Sequence, residues 1–121
     1  MNKKIFLCAV LLALPLTLAG EAQARSLGSI LNDSGLSPED IWGMENAARQ
    51  LYEPMGRTDD ARRWSNSRSR STGLVTLGQK QGNCVELVHR FSTVKRPEPV
   101  TFRIWRCRTA EGDWRISPGP N

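Results

Sequence analysis

Three sets of residues have types and spacing that bear on chemistry: Cys84 and Cys107, the lone histidine His89, and arginines interleaved with tryptophan between Arg62 and Arg115. The two cysteines form no C-x-x-C pair, so they read as a disulfide staple before they read as a redox couple. Closing a loop of this span stabilises a small domain by about 3 kcal/mol, against a total stability of roughly 5 kcal/mol. With one histidine and both cysteines bridged, the three or four ligands of a zinc site are not assembled. No G-x-S-x-G or other nucleophile motif accompanies His89, so it is expected to be a buried core residue. No cofactor and no metal are expected.

The arginines are the remaining candidates. Residues 25–61 carry three Arg against seven acids, net −4, whereas residues 62–121 carry twelve Lys or Arg against four acids, net +8. In that second half arginine outnumbers lysine ten to two. Guanidinium groups suit bidentate contacts to phosphate and carboxylate and stack on indoles. A functional reading is therefore an anion-binding face of Arg62, Arg63, Arg68, Arg70, Arg103 and Arg106, drawn from a wider set that adds Arg90 and Arg115 with Trp64, Trp105 and Trp114. The competing reading is that an acidic helical half and a basic sheet half neutralise each other. Basic residues among aromatics also suit single-stranded nucleic acid, but export argues against that partner. Lipid phosphate, acidic glycan or an acidic protein are the expected anions.

The elements that must position these groups follow from period and punctuation. Residues 84–91 alternate with Val85, Leu87, His89 and Phe91 on one face; residues 100–107 alternate with Val100, Phe102 and Ile104 on one face and Arg103, Trp105 and Cys107 on the other. The prolines at 97 and 99 make the intervening segment a loop. Antiparallel pairing with Cys84 opposite Cys107 also places Leu87 opposite Ile104, His89 opposite Phe102 and Phe91 opposite Val100, so one register satisfies both sulfurs and the apolar rows. Glu86 and Arg103 then form an exposed diagonal ion pair on the cysteine-bearing face, worth under about 1 kcal/mol.

Upstream, Ser37 as N-cap, Pro38 in the first turn and the acids Glu39 and Asp40 start a helix over residues 38–53. Its apolar stripe is Ile41, Met44, Ala48, Leu51 and Met55, widened by Trp42, Ala47 and Tyr52. Residues 57–71 read as a polar connector with room for a short edge strand at Trp64. Further strands are expected at 72–77 and 113–117, with turns at 78–83 and 108–112. The expected fold class is α+β, one amphipathic helix packed on an antiparallel meander of about four strands with one disulfide.

The N-terminus is read as an export signal. Lys3 and Lys4 form a basic start, residues 5–19 an apolar run shorter than the roughly 20 residues of a spanning helix, and Ala22-Gln-Ala24 a small-x-small cleavage site. Cleavage would leave Arg25 first and remove Cys8, leaving two cysteines in an oxidising compartment with no transmembrane span. The expected divisions are a signal peptide over 1–24, a flexible lead-in over 25–36, a single domain over 37–117 and a disordered tail over 118–121.

Trp64-Ser-Asn66, Thr72 and Gly73, Gly82-Asn-Cys84, Cys107 with Arg108, and Gly112-Asp-Trp114, in this order after an acidic helix, resemble the bacterial 17 kDa surface antigen family of outer-membrane proteins. The resemblance covers residues 41–117. It implies a small α+β domain of the cell envelope, antigenic and without enzymatic activity, acting in a structural or binding role. The chain departs from the family in having no lipidation cysteine after the apolar run, no glycine-zipper stretch before the domain, and Ser67 and Val85 in place of the Pro and Arg often found after the Trp-x-Asn and the first Cys. These departures favour a soluble periplasmic or secreted form over outer-membrane association. The alternative function is a small periplasmic hydrolase or an enzyme inhibitor using the Arg and Trp face.

Overall fold

The computed structural model describes residues 26–120, so the signal expected over residues 1–24 lies outside the described residues. Ser37 caps helix α2 (Pro38–Tyr52) through a capping box: Asp40 N donates to Ser37 Oγ at 3.1 Å, and Ser37 N donates to Asp40 Oδ2 at 2.9 Å. Met44, Ala47, Ala48, Leu51 and Tyr52 form its buried stripe. Trp42 and Met55 do not belong to it. At 100° per residue Trp42 lies about 160° round from Met44 and is 71% exposed, while Met55 falls past the last helical residue and is exposed.

The segment expected as a flexible lead-in is docked instead. A single helical turn, α1 (Leu27–Ile30), buries Leu27, and Leu31 follows it into the core. Two aliphatic anchors hold this stretch against the rest of the core. At the other end, Gly119 lies against the Trp105 ring, so the tail expected to be disordered covers part of that side chain as far as Pro120.

Five antiparallel strands follow α2: β1 (Ala61–Asn66), β2 (Ser71–Gln81), β3 (Cys84–Ser92), β4 (Val100–Arg108) and β5 (Trp114–Ser117), in spatial order β1-β2-β3-β4-β5. The meander has one strand more than the four expected, because the polar connector contributes β1. Only Trp64 of β1 is buried, so an edge strand with one anchor leaves little hydrophobic periodicity to read. β2 runs on through Gly78 to Gln81, past its expected end, with a register shift between Leu77 and Lys80. A side chain at Gly78 would meet Glu86 Oε1 at 2.6 Å, so the glycine leaves room for the Glu86 carboxylate where it lies.

The β3–β4 register is the one the alternation requires: Cys84 faces Cys107, Leu87 faces Ile104, His89 faces Phe102 and Phe91 faces Val100. The disulfide joins Cys84 to Cys107 with Cα atoms 4.0 Å apart. Val75, Leu77, Val85, Leu87, Phe91 and Ile104 share the face that meets the helices. The opposite face carries no layer of secondary structure among the described residues.

Two contacts lock α2 and the β1–β2 hairpin to each other. Asp40 is fully buried, and besides its capping role it accepts from Asn66 Nδ2 at 2.9 Å and Ser69 Oγ at 2.6 Å. One carboxylate thus satisfies the helix N-terminus and the hairpin turn together. Trp64 fills the space between Gly43 of α2 and Gly73, its cross-strand partner on β2. A Cβ at Gly73 would sit 2.4 Å from Trp64 Nε1, whereas one at Gly43 would touch Trp64 Cε3 at an ordinary 3.9 Å.

These contacts set opposite signs for two alanine substitutions. Gly73→Ala overpacks against the indole and is expected to destabilise by about 1 to 3 kcal/mol. Gly43→Ala removes a mid-helix glycine without a clash and is expected to stabilise by about 0.5 to 1 kcal/mol. Urea unfolding of the two variants checks both signs; equal effects would show that the indole does not occupy the Gly73 face.

Candidate functional site

Alternation along each strand decides which arginines share a surface. On β1, Arg63 pairs with Leu74 and Arg62 with Val75, so neighbouring arginines leave opposite faces of the sheet. Arg62 belongs to the helix side at the β1 edge, where its Nη1 donates to the Ala61 carbonyl at 3.0 Å. Arg68 and Arg70 are exposed on the β1–β2 turn, and Arg70 takes a left-handed φ of 61°. Arg103 is on the open face, 63% exposed, and its Nη1 donates to Glu86 Oε1 at 3.2 Å, the diagonal pair expected from the register.

Arg106 is not part of any exposed face. It pairs with Val85 in the β3–β4 ladder, on the helix side, and is only 7% exposed. Its Nη2 donates to Glu45 Oε1 of α2 at 2.6 Å. For this residue the internal neutralisation of helix by sheet is what the structure contains, and the assignment to an anion-binding face is corrected. The signal was present in the sequence: Arg106 has the same parity as Val100, Phe102 and Ile104. Its type concealed this, because arginine is almost never fully buried unless paired.

The open face gathers a different set. Along one cross-strand row lie Arg63, Leu74, Arg90 and Thr101; along the next lie Ala61, Thr76, Val88 and Arg103. Arg115 sits beyond Cys107 on β5. Arg63, Arg90, Arg103 and Arg115 are all exposed, and Glu86 is the one acid among the strand residues of this face. Of the three tryptophans grouped with the arginines, only Trp105 is here. Trp64 packs beneath the helix, and Trp114 meets Tyr52 with ring centroids 4.9 Å apart on the helix side. Arg90 takes a central place that its alternation with His89 could have marked.

Beneath the helix side, His89 is 1% exposed and stacked on Phe102, with ring centroids 4.7 Å apart and planes 3° apart. Neither ring nitrogen has a hydrogen-bond partner among the described residues, nor does Arg106 Nε. Burial, reinforced by the Arg106 cation, pushes the imidazole down from its ordinary 6.5 to about 3. His89 is therefore a neutral ring in the core at neutral pH and not positioned as a general base for an external substrate. At Asp40 burial alone would raise the carboxyl, but hydrogen bonds from Ser69, the Ser37 N–H, Asn66 and Ser71 outweigh it and hold the group below its ordinary value. Among the described residues no three His, Cys, Asp or Glu side chains are grouped to hold a metal ion. No helix among them is long and apolar enough to cross a membrane.

The buried charges lead to two expectations. Because folding depresses the His89 pKa, the unfolded chain binds the extra proton between pH 6.5 and about 3. Stability from this group is thus complete above 6.5 and falls as pH drops towards 3, by at most on the order of 5 kcal/mol. Urea unfolding against pH should show that slope in the parent protein and lose it in His89→Phe. Asp40 adds a separate loss below the ordinary carboxylate range, as pH falls through its depressed pKa.

The Glu45–Arg106 pair is expected to be asymmetric. Glu45→Ala leaves a buried guanidinium without its acid and should cost about 2 to 4 kcal/mol, whereas Arg106→Met removes the charge altogether and should lie within about 1 kcal/mol of the parent. Chemical denaturation of both variants tests this; a more damaging Arg106→Met would mean that the pair is net stabilising.

The chain matches no protein-family model, no curated protein and no solved structure, and what it does must be read from its own side chains.

Proposed function

We propose that this chain is an exported cell-envelope protein of the surface antigen type, non-enzymatic, that binds an anionic partner through the open face of its sheet. The observation that carries the reading is the imbalance of that face: Arg63, Arg90, Arg103 and Arg115 are exposed against the single acid Glu86, which is already engaged by Arg103. Among the described residues, internal ion pairing accounts for Arg106 and, through Glu86, for Arg103, but reaches none of Arg63, Arg90 and Arg115. Exposed arginines on neighbouring strands carry a local positive field that attracts anions over about one Debye length, 10 Å at 0.1 M salt.

Export is supported by the basic start, apolar run and Ala22-Gln-Ala24 site, and it agrees with a disulfide, which persists in oxidising compartments. The surface antigen resemblance supports an envelope role. Its quoted residues include Trp64, Asn66 and Gly73, which form the junction between helix and hairpin, so the resemblance bears on the scaffold more than on the binding face.

Retention on a polyanionic matrix tests the reading. The parent protein is expected to bind at low salt and to elute as salt rises, and Arg63→Ala with Arg90→Ala should elute markedly earlier than Arg68→Ala with Arg70→Ala. Equal shifts from the two pairs would mean that only net charge matters and that the open face is not a binding surface.

A further inference from the structure

The open face has a pattern as well as a charge, and the pattern selects among anions. Arg63 and Arg90 occupy the same cross-strand row, separated by Leu74 on β2. Two strand spacings put their backbones roughly 10 Å apart. Arg103 is the diagonal neighbour of Arg90, about 7 to 8 Å away, opposite Val88. Arg63 and Arg90 therefore share one row two strands apart with the partly buried Leu74 between them, while Arg103, engaged by Glu86, lies one strand further on and two residues off that row. Ser65, Thr76 and Thr101 border this row with hydroxyls on the same face.

Three features separate the candidate anions. A lipid surface would be met by large apolar side chains that insert, but Ile30, Trp42, Met55 and Val94, the exposed large hydrophobic residues, all lie outside the strands' open face. Single-stranded nucleic acid would need exposed rings on which bases stack, and the one indole of this face, Trp105, is partly covered by Gly119. A linear acidic polysaccharide needs what is present: cations spaced along a line, hydroxyls to exchange hydrogen bonds with sugar hydroxyls, and aliphatic patches for the apolar faces of sugar rings. A gap of two strands between unpaired arginines suits carboxylates borne on alternate sugars rather than on each one.

We infer that the open face binds a linear acidic polysaccharide whose carboxylates recur on alternate sugars, laid across the strands so that successive carboxylates meet Arg63 and Arg90. This rests on the anion-binding reading of the same face and narrows its partner. The aliphatic Leu74 then contacts the intervening neutral sugar. A disaccharide carries one carboxylate and engages one arginine, whereas an octasaccharide spans the row.

The experiment is titration of the folded protein, disulfide intact, with hyaluronan octasaccharide, hyaluronan disaccharide, a neutral maltooligosaccharide and phosphatidylglycerol vesicles, read by calorimetry and by chemical-shift changes of backbone amides. The octasaccharide is expected to bind at least about tenfold more tightly than the disaccharide, in line with added charge-assisted contacts. It should perturb amides of β1 and β3, and weaken about tenfold in Arg63→Ala and in Arg90→Ala. Arg68→Ala should leave it unchanged. All three substitutions are at exposed positions, and a thermal melt confirms that each variant is folded. If vesicles bind with the same arginine dependence while the octasaccharide does not, the polysaccharide inference is overturned and the anion-binding face stands. If neither binds at low salt, both are overturned. Equal affinity for octasaccharide and disaccharide, or no loss in Arg63→Ala and Arg90→Ala, also overturns the inference.

Discussion

The pairing of β3 with β4 decides on which side of the sheet every strand residue lies. Side chains alternate with a period of two, so moving the pairing by one residue would carry Leu87 and Phe91 out of the core and bring Arg90 into it. The register is held twice, by the apolar row of Leu87 with Ile104 and Phe91 with Val100, and by the disulfide at Cys84 and Cys107. The two constraints agree, and β2 and β5 extend the same parity to the sheet's other strands. The separation of a greasy face from an arginine-bearing face is a consequence of that one pairing.

The interface above the core face is unusually polar for so small a domain. Asp40, His89 and Arg106 are all buried between helix and sheet or beneath them. Asp40 is compensated by several hydrogen-bond donors, and Arg106 is compensated by Glu45, but His89 has only a stacked Phe102. A neutral imidazole tolerates this because its nitrogens carry partial charges alone, whereas an imidazolium would give up its hydration and be opposed by the Arg106 cation as well. The contribution of His89 to stability is therefore complete only above its ordinary pKa. A small domain with these contents depends on its staple, since a thin core leaves little margin against a single lost contact.

The open face follows different rules. Its aliphatic residues Leu74 and Val88 are only partly buried, and its arginines share one surface where like charges oppose one another unless an anion lies between them. Glu86 relieves Arg103, and nothing comparable relieves Arg63 or Arg90 among the described residues. Natural sheets use charge on exposed strands to prevent edge-to-edge association, but edge protection needs charge on β1 and β5, not on the central β3 that carries Arg90. The position of Arg90 is the reason to read the face as a recognition surface.

Much of the scaffold was legible in the chain itself. Capping residues marked α2 to within a residue of its end, and alternation with two cysteines gave the β3–β4 register, because both signals are local or repeat with a fixed period. Edge strand β1 and the docked Leu27 and Leu31 were harder to read, since one or two buried anchors make no periodic pattern. The candidate site was less legible still. The arginine bias is visible as composition, yet composition does not separate Arg106, whose parity places it with Ile104, from the exposed arginines, nor Trp64 from Trp105, which occupy opposite faces. The residues by themselves determined that the second half is basic and which positions alternate. Only the tertiary structure decided which alternate set the helices cover, because that depends on where Asp40, Glu45 and Trp64 bring α2 against the sheet, and from that coverage follows which guanidinium groups meet an internal carboxylate and which are left to solvent.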